Sequence, residues 1–422
     1  MSEDTRHRIG GREAGLAEIT GADGAYIFPE RLLQQIWLRG EFIQDGLRLS
    51  DGRALKILRR GRWNRLPGPD FKDAEFFIGD AAAGEFIRGD VELHLRARDW
   101  DYHGHANDAA YGGVVLHVVL FPGVGVTTTG AVGRLIPILE LLPLLKRDLE
   151  AYVEEAAVER LAGRPYSQLR EAVMTMSPQQ LTVEVARHAR ARWRAKVALA
   201  RRRIELLGWE AACHRRALEV LGYRPNRDAM LMVAERWPLA EWRSGSARPA
   251  TILVQMADSW DKAGVRPVNS PKRRLEQYAG WIDRTPDWPD RLAELELDLA
   301  RSGDAATDVD LRQRRRDAGL GDWRKRLAED VAGGAVGGTR FDSMVCDAWL
   351  PLLAARRPEE SATSGLEACW RDWWPGDSPA ELIKLAREFG VGADASAVLG
   401  QGVVQGFLGW LAELLDGAGR GT

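Results

Sequence analysis

The sequence has few of the residues that define several common classes of protein. Only three of its 422 residues are cysteine, and Cys213, Cys346 and Cys369 lie far apart without a C-x-x-C pair. A disulfide scaffold and a zinc site made of thiolates are therefore excluded, and a cytoplasmic location is expected. Long apolar runs are missing too. Leu135–Leu145 and Ala397–Leu411 are short and interrupted, below the ~20 residues of a spanning helix, so no membrane association is expected.

Net charge is almost absent. The 59 lysines and arginines against 61 aspartates and glutamates leave a formal charge of −2, so any nucleic-acid contact must come from a local basic patch. No P-loop, dinucleotide-binding fingerprint or G-x-S-x-G elbow occurs in the sequence. What is present is 45% hydrophobic residues and 16 tryptophans, a composition typical of a folded chain of about two domains.

The sequence pattern changes about a third of the way along the chain. We predict a flexible tail at 1–24, an α/β domain at 25–150 and an α-helical domain at 151–418. The first domain has a helix at Pro29–Trp37 and then short segments rich in Val, Ile and Phe, which we predict to be strands (Ala54–Leu58, Ala74–Ile78, Ile87–Leu95 and Val114–Leu120). The second domain has helical apolar spacing (Pro178–Leu206, Trp209–Leu221, Pro271–Ile282, Trp288–Arg301, Phe341–Arg356, Pro379–Phe389 and Ala397–Leu415).

Histidines and acids concentrate in the α/β domain. Four of the seven histidines fall within 24 residues, among several acids (His94, His103, His105 and His117; Asp90, Glu92, Asp99, Asp101 and Asp108). Upstream lies Gly68-Pro69-Asp70-Phe71, which leads into a predicted strand. Carboxylates from two neighbouring strands are ligands that suit Mg²⁺ or Mn²⁺. A metal held in this way can activate water and neutralise charge that develops on a phosphate.

The spacing Pro69-Asp70, 21 residues, Glu92-Leu93-His94 resembles the signature of the PD-(D/E)XK nucleases, with histidine in the lysine position. That superfamily has a core of one helix, a strand meander, a helix and a further strand, which is the order predicted here. The resemblance implies that Asp70 and Glu92 bind the metal and that His94 acts on the water. It also implies an extra acid on the first helix, for which Glu30 is the candidate.

The histidine at position 94 is a departure from this signature. A neutral imidazole can accept a proton near pH 7, but it does not supply the permanent positive charge of lysine. Lys72 stands two residues after Asp70 and would share its face on an extended strand. Lys72 is therefore a candidate substitute for the missing lysine.

A wider set of motifs resembles an uncharacterised bacterial family, catalogued as a domain of unknown function (DUF2851). Its first block comprises Asn64-x-x-x-Gly68-Pro69-Asp70-Phe71, Gly89-Asp90-Val91-Glu92-Leu93-His94, Asp99-Trp100, His103-Gly104-His105, Asp108, Tyr111 and Val115-Leu116-His117-Val118-Val119. Later segments also fit, namely Arg266-Pro267-x-Asn269-x-Pro271-x-x-Arg274-Leu275, Leu350-Pro351, Gln401 and Gln405. The family has no assigned activity, so the resemblance implies membership and no function.

Each motif also has a purely structural interpretation. Gly68-Pro69-Asp70 is a common turn in which the aspartate caps backbone N–H groups. Glu92 and His94 could form the exposed polar face of an edge strand. His103, His105 and Asp108, perhaps with His94 or His117, could bind zinc or could cap and cross-link a loop.

One basic stretch in the helical half is relevant to polyanions. Between Val185 and Ile204 there are eight lysines or arginines and no acid. The apolar positions keep helical spacing, so we expect one face to pack and the remainder to expose basic side chains. These could contact phosphates or could pair with acids elsewhere in the fold. The candidates for nucleic-acid contact are Arg187, Arg190, Arg194 and Arg201.

The resulting hypothesis is a metal-dependent nuclease of DNA or RNA, with Mg²⁺ or Mn²⁺ as cofactor, joined to a helical domain. Two alternatives stay open. One is a catalytically inactive protein that keeps the nuclease fold and binds nucleic acid, and the other is a zinc-dependent hydrolase that uses the cluster from His94 to Asp108.

Overall fold

A computed structural model describes residues 30–64, 66–79, 84–121, 123, 125, 127–130, 133–145, 149–261, 265, 267–295, 310–357, 359–391 and 398–417. The predicted tail at 1–24, Arg266 and the end of the predicted helix Trp288–Arg301 lie outside these residues. The chain divides into two compact units, Ile27–Val153 (the sheet unit) and one that contains Glu154–Thr422 (the helical unit). None of the described helices is long and apolar enough to cross a membrane.

The sheet unit is a mixed α/β structure, as the sequence predicts. Its elements are α1 (Glu30–Arg39), β1 (Leu55–Arg59), β2 (Arg62–Trp63), β3 (Phe71–Ile78), β4 (Glu85–His94), α2 (Asp99–Tyr102), β5 (Val114–Val119), β6 (Thr127–Thr129) and β7 (Leu135–Glu140). Short 3₁₀ turns occupy His105–Asn107, Ala109–Tyr111 and Leu142–Leu144. Helix α1 buries Leu32, Leu33, Ile36 and Trp37, the same residues whose spacing predicts the helix.

The strands form one sheet of order β1-β3-β4-β5-β7-β6, with β2 paired to β3. β3 pairs antiparallel with β1 and β4, whereas β4, β5 and β7 run parallel to one another. β4 is therefore a central strand, and the edge-strand interpretation of Glu92 and His94 is wrong. The four residues 91–94 are buried, while the first half of β4 is exposed or half-buried.

Two irregularities in pairing meet at Asp90. On one side, Phe71 pairs with Val91 but Ala74 pairs with Gly89, so two residues of β3 lie opposite Asp90. This is a β-bulge, and its second residue, Asp73, has a positive φ of 59°. On the other side, the register of β4 against β5 shifts between Asp90 and Val91.

The helical unit continues with helices only in its described part, which confirms the predicted helical remainder. α3 (Leu149–Ala162) spans the boundary between the units. It is followed by α4 (Tyr166–Met174), α5 (Pro178–Leu207), α6 (Trp209–Arg236), α7 (Leu239–Arg243), α8 (Pro249–Gln255), α9 (Pro271–Arg284), α10 (Trp288–Glu294), α11 (Leu311–Asp317), α12 (Leu320–Arg326), α13 (Gly338–Met344), α14 (Leu350–Ala355), α15 (Glu359–Asp372), α16 (Ala380–Glu388) and α17 (Gln401–Gly417). Two π-helical turns occupy Leu327–Val331 and Val345–Trp349.

The long helix α5 is the centre of this unit. Ser177 and Gln180 form a capping box at its N-terminus, which satisfies backbone N–H groups that would otherwise lack partners. Glycines on α17 allow that helix to pack close to α5. A side chain at Gly406 would collide with the carbonyl oxygen of Val185. Many tryptophans lie in the core, as the sequence predicts, and Trp281 packs against Trp288 with ring centroids 4.7 Å apart.

Helix α6 is longer than the sequence predicts. The predicted segment ends at Leu221, and the observed helix is interrupted just beyond, where Tyr223 has φ 57° and ψ −179°. Pro225 follows, and proline removes a helical hydrogen bond and clashes with the preceding turn. The second half of the helix, up to Arg236, lies beyond the predicted segment.

Candidate metal centre

Asp70 and Glu92 are tied together at the start of β3 and the buried end of β4. The backbone N–H of Asp70 donates to Oε2 of Glu92 at 3.0 Å, and the backbone N–H of Leu93 donates to Oδ2 of Asp70 at 3.0 Å. Each carboxylate is thus held by the backbone of the other strand. The Gly-Pro-Asp segment is more than a local turn, because its aspartate binds across the sheet.

Helix α1 brings two further side chains to this pair. Gln34 donates from Nε2 to Oδ1 of Asp70 at 2.6 Å. Glu30 lies one helical turn earlier, and residues four apart share a face of a helix. Its charge raises the pKa of both Asp70 and Glu92. We call Glu30, Asp70 and Glu92 the acid cluster.

Asp70 and Glu92 hold their protons to higher pH than ordinary carboxylates do. Burial raises the pKa of Asp70 to about 7, against an opposing hydrogen bond from Leu93. Burial and the charge of Asp70 raise the pKa of Glu92 to about 9. The side chain of Glu92 is only 7% exposed. A bound cation favours the ionised form of each carboxylate, so the cluster offers negative charge that a cation could neutralise.

Lys72 and Asp90 form a separate ion pair beside this cluster. Lys72 Nζ lies 2.8 Å from Oδ2 of Asp90, which makes Asp90 the counter-ion of Lys72 and not a fourth member of the cluster. The Lys72 charge still lowers the pKa of Glu92. Its ammonium also lies near Gly68, in the turn before Asp70, since a Cβ on that glycine would be 4.0 Å from Nζ.

His94 is buried in a chain of hydrogen bonds. Its Nδ1 lies 2.9 Å from Nε2 of His117, whose Nδ1 lies 2.6 Å from Oγ1 of Thr128. Its Nε2 lies 3.1 Å from Nδ1 of His103. Burial lowers the pKa of His94 to about 2 and that of His117 to about 3. His94 is therefore a weak base with both ring nitrogens engaged, which does not fit the role of accepting a proton from water near pH 7.

His103 and His105 complete a histidine cluster with His94. One ring nitrogen from each of the three lies within 4.8 Å of the others. Nε2 of His105 lies 3.5 Å from Oε1 of Glu92, and Nε2 of His94 lies 3.7 Å from the same oxygen. His105 is buried, whereas His103 is exposed. The cluster thus adjoins the acid cluster through Glu92 and has one side open to solvent.

Other predicted members of this region have structural contacts. The side chain of Asp108 accepts a hydrogen bond from the N–H of Ala110 at 2.8 Å, so Asp108 caps a turn. His117 is a buried core histidine, and both of its ring nitrogens have hydrogen-bond partners. Trp100 is buried and packs edge-on to His94, with ring centroids 6.4 Å apart.

The basic residues of α5 differ in their surroundings. Arg187 pairs with Glu184 and Glu413, and Arg190 lies 3.8 Å from Glu367. Arg194 is exposed, and Arg201 is half-buried. The expectation that most basic side chains of this helix face solvent is wrong for three others. Arg192 and Lys196 are buried against Gln405 and Asp347, and Arg203 is half-buried against Glu219.

Sequence reasoning missed three residues of the site. Gln34 has a signal, because it lies four residues after Glu30 on a predicted helix. Tyr111 belongs to the motif block but had no role. Its ring stacks on His105 at 3.7 Å between centroids, and burial next to the acids raises its pKa to about 12. Thr128 carries no signal, because its contact with His117 depends on how β6 and β7 join the sheet.

Comparisons with known proteins identify a family and no activity. No curated protein and no solved structure matches the chain. A family model described as "Protein of unknown function (DUF2851)" matches residues 30–257, more than half of the 422 residues. The match begins at Glu30 and includes both clusters, and on this basis the chain belongs to the DUF2851 family.

Proposed function

We propose that the sheet unit is a metal-dependent phosphodiesterase domain that hydrolyses nucleic acid. The observation that carries the proposal is a pair of cross-strand hydrogen bonds. The N–H of Asp70 donates to Glu92 and the N–H of Leu93 donates to Asp70, so both carboxylates are held where β3 begins beside the buried end of β4. Glu30 would complete the ligand set from α1. Mg²⁺ or Mn²⁺ suits such a group, because these ions prefer oxygen ligands.

The order of elements supports this proposal. Helix α1 precedes an antiparallel arrangement of β1, β3 and β4, and short helical segments lead to β5, which is parallel to β4. The PD-(D/E)XK core that the sequence resembles likewise has a helix, a strand meander, a helix and a further strand. This likeness supports the assignment of Asp70 and Glu92 to its two metal-binding acids.

The donor set also supports a divalent cation. Within the described residues, each oxygen of Asp70 accepts a single hydrogen bond, from Gln34 or from Leu93. Carboxylate oxygens have further lone pairs, so both can still bind a metal. A dication held here would polarise a phosphate oxygen and lower the pKa of a bound water.

Protein groups would then position the reactants. Asp70 and Glu92 are fixed by the backbone of the opposite strand, and fixed ligands reduce the reorganisation needed in the transition state. Lys72 is the candidate for the role of the lysine in the PD-(D/E)XK signature, because its charge acts on Glu92. We assign Lys72, and not His94, to stabilising the negative charge that develops on the phosphate.

The helical unit supports a nucleic-acid partner less directly. Arg190 and Arg194 are the exposed members of the predicted contact set, and Arg190 lies 3.8 Å from Glu367, whereas Arg187 is half-buried and pairs with Glu184 and Glu413. We propose Arg194 as a phosphate contact. The variant Arg194→Ala should weaken binding of every nucleic acid alike and should reduce the salt dependence of binding, since one phosphate contact is lost.

The test is cleavage of labelled single- and double-stranded DNA and RNA by the full-length protein, with Mg²⁺, Mn²⁺ or EDTA. We expect metal-dependent cleavage by the wild type. Asp70→Asn and Glu92→Gln should reduce its rate by about 100-fold or more, because a metal ligand provides several kcal/mol of transition-state stabilisation. Lys72→Met should lower the rate and leave metal binding intact.

The matched control is Asp73→Asn, a change of the same kind on the same strand. Asp73 pairs with Arg62 and Arg88 at the surface, so this variant should cleave like the wild type. Binding without cleavage in the wild type would contradict the proposal and favour the inactive, nucleic-acid-binding alternative. Cleavage that persists in both Asp70→Asn and Glu92→Gln would show that the acid cluster is not the catalytic centre.

A further inference from the structure

We propose that His94, His103 and His105, together with Glu92, form a second metal site that binds Zn²⁺. The site goes beyond the proposed nuclease centre, since its ligands are mainly imidazoles and it requires neither Asp70 nor nuclease activity. The sequence suggests zinc in this region with Asp108 as a ligand. In the structure the grouped nitrogens belong to His94, His103 and His105, and Asp108 is not part of that group; its carboxylate caps the turn at Ala110.

The size of the cluster suits zinc. Tetrahedral zinc with bonds of about 2.0–2.1 Å has ligand atoms about 3.4 Å apart. The observed separations are 3.1 Å between His94 Nε2 and His103 Nδ1, 3.5 Å between His105 Nε2 and Glu92 Oε1, and 3.7 Å between His94 Nε2 and Glu92 Oε1. Three edges of the ligand polyhedron therefore already have about the length that zinc requires.

A buried nitrogen of His105 also favours a bound cation. Within the described part of the chain, Nε2 of His105 is buried and makes no hydrogen bond. A buried polar atom is costly unless it is satisfied. The ring cannot easily turn away, because Tyr111 stacks on it at 3.7 Å between centroids. The nitrogen faces Oε1 of Glu92, and a cation between these two atoms would satisfy both.

His94 is supported from behind in the way that a metal ligand requires. Histidine ligands of metals usually donate their second ring nitrogen to a fixed acceptor, which sets the tautomer. Nδ1 of His94 has such a neighbour in Nε2 of His117, and His117 is held in turn by Thr128. With Nδ1 of His94 protonated, the lone pair of its Nε2 points into the cluster. Nitrogen ligands favour zinc over magnesium, which prefers oxygen.

The two sites would share Glu92. Its Oε2 accepts from the backbone of Asp70, while its Oε1 faces the histidines. A bridging carboxylate is suited to holding two metal ions close together. In this part the inference rests on the proposed function: a zinc ion at His94 would supply positive charge where the nuclease signature has lysine.

The experiment measures zinc on the full-length protein by metal analysis and by titration calorimetry, and measures the absorption spectrum after Co²⁺ substitution. We expect one zinc per chain and the intense visible absorption of tetrahedral cobalt. His105→Ala and His103→Ala should each weaken zinc binding by about 100-fold or more, because each removes a ligand. Since His103 is exposed, its variant tests the site even if His105→Ala fails to fold.

Two controls separate this site from the nuclease proposal. Asp108→Asn and Asp70→Asn should both keep zinc and the cobalt spectrum. Failure of the wild type to bind zinc, or unchanged binding in His103→Ala, would overturn the site while leaving magnesium-dependent cleavage intact. Zinc binding in a protein that cleaves no nucleic acid would support the site and refute only the nuclease proposal.

Discussion

Replacing Asp70 by asparagine should stabilise the metal-free protein at alkaline pH. The change removes one charge from the acid cluster and keeps the shape of the side chain. Both hydrogen bonds can survive, because the asparagine oxygen can accept from Leu93 and its amide can donate to Gln34 after the Gln34 amide turns over. The main difference between variant and wild type is therefore electrostatic.

The magnitude follows from the pKa of Asp70. Its value of about 7 lies above the ordinary 3.8, so the folded state binds more protons than the unfolded state between these values. Stability from this group is complete below pH 3.8 and falls as pH rises towards 7. At about 1.4 kcal/mol per pKa unit, the loss is about 4 kcal/mol. Part of this loss is shared with Glu92, so we expect Asp70→Asn to gain about 2–4 kcal/mol at pH 8.

The assay is thermal unfolding of the full-length protein in EDTA between pH 4 and 8. Hydrogen exchange of the peptide that contains residues 85–94 assigns the transition to the sheet unit. The gain of Asp70→Asn should grow with pH, and Mn²⁺ should stabilise the wild type more than the variant. A gain that is absent at pH 8, or equal at all pH values, would refute the reasoning. Either result would mean that other groups of the protein already compensate the charge of the Asp70 carboxylate.

Three further predictions concern the helical unit. Gly406→Ala should destabilise it by about 1–3 kcal/mol through overpacking against α5. Gly409→Ala is the control and should change denaturant unfolding little, because its Cβ would meet only a side chain, at 3.1 Å. Equal losses of stability in the two variants would contradict this packing. Glu219 is fully buried between two arginines, which lower its pKa to about 2. The stability that the ionised Glu219 gives the folded protein is present above its ordinary pKa of 4.5 and is lost as pH falls towards 2. Glu219→Gln should therefore cost about 3–5 kcal/mol at pH 7, and the variant should show less acid destabilisation than the wild type. Burial raises the pKa of the Cys213 and Cys346 thiols. A thiol reagent such as DTNB should therefore label them only when the protein unfolds. Rapid labelling of the native protein would show that the core is open.

Local patterns made part of the candidate site predictable. The alternation along β4 placed Glu92 and His94 on one face, and strands have an exact period of two. The apolar residues beside Glu92 indicated a buried strand, which the central position of β4 confirms. Helix α1 was predictable from its apolar stripe, and with it the face that carries Glu30.

Contacts between distant parts of the chain were not predictable. Gln34 reaches Asp70 across 36 residues, and Arg192 reaches Gln405 across 213. A helical wheel shows where the charges of α5 point but not which partners other helices bring to them. For this reason the sequence suggested an exposed basic surface where the structure has several buried pairs.

The paired irregularities at Asp90 separate the two halves of β4 mechanically. Bulges increase twist and interrupt the regular ladder, so a distortion of the outer half is poorly transmitted to Glu92 and His94. Phe86 lies in that outer half and is 56% exposed, whereas the three native cysteines are buried. Phe86→Cys would therefore offer one accessible thiol for a fluorophore on the same strand as the site, without removing any native cysteine and without disturbing either cluster.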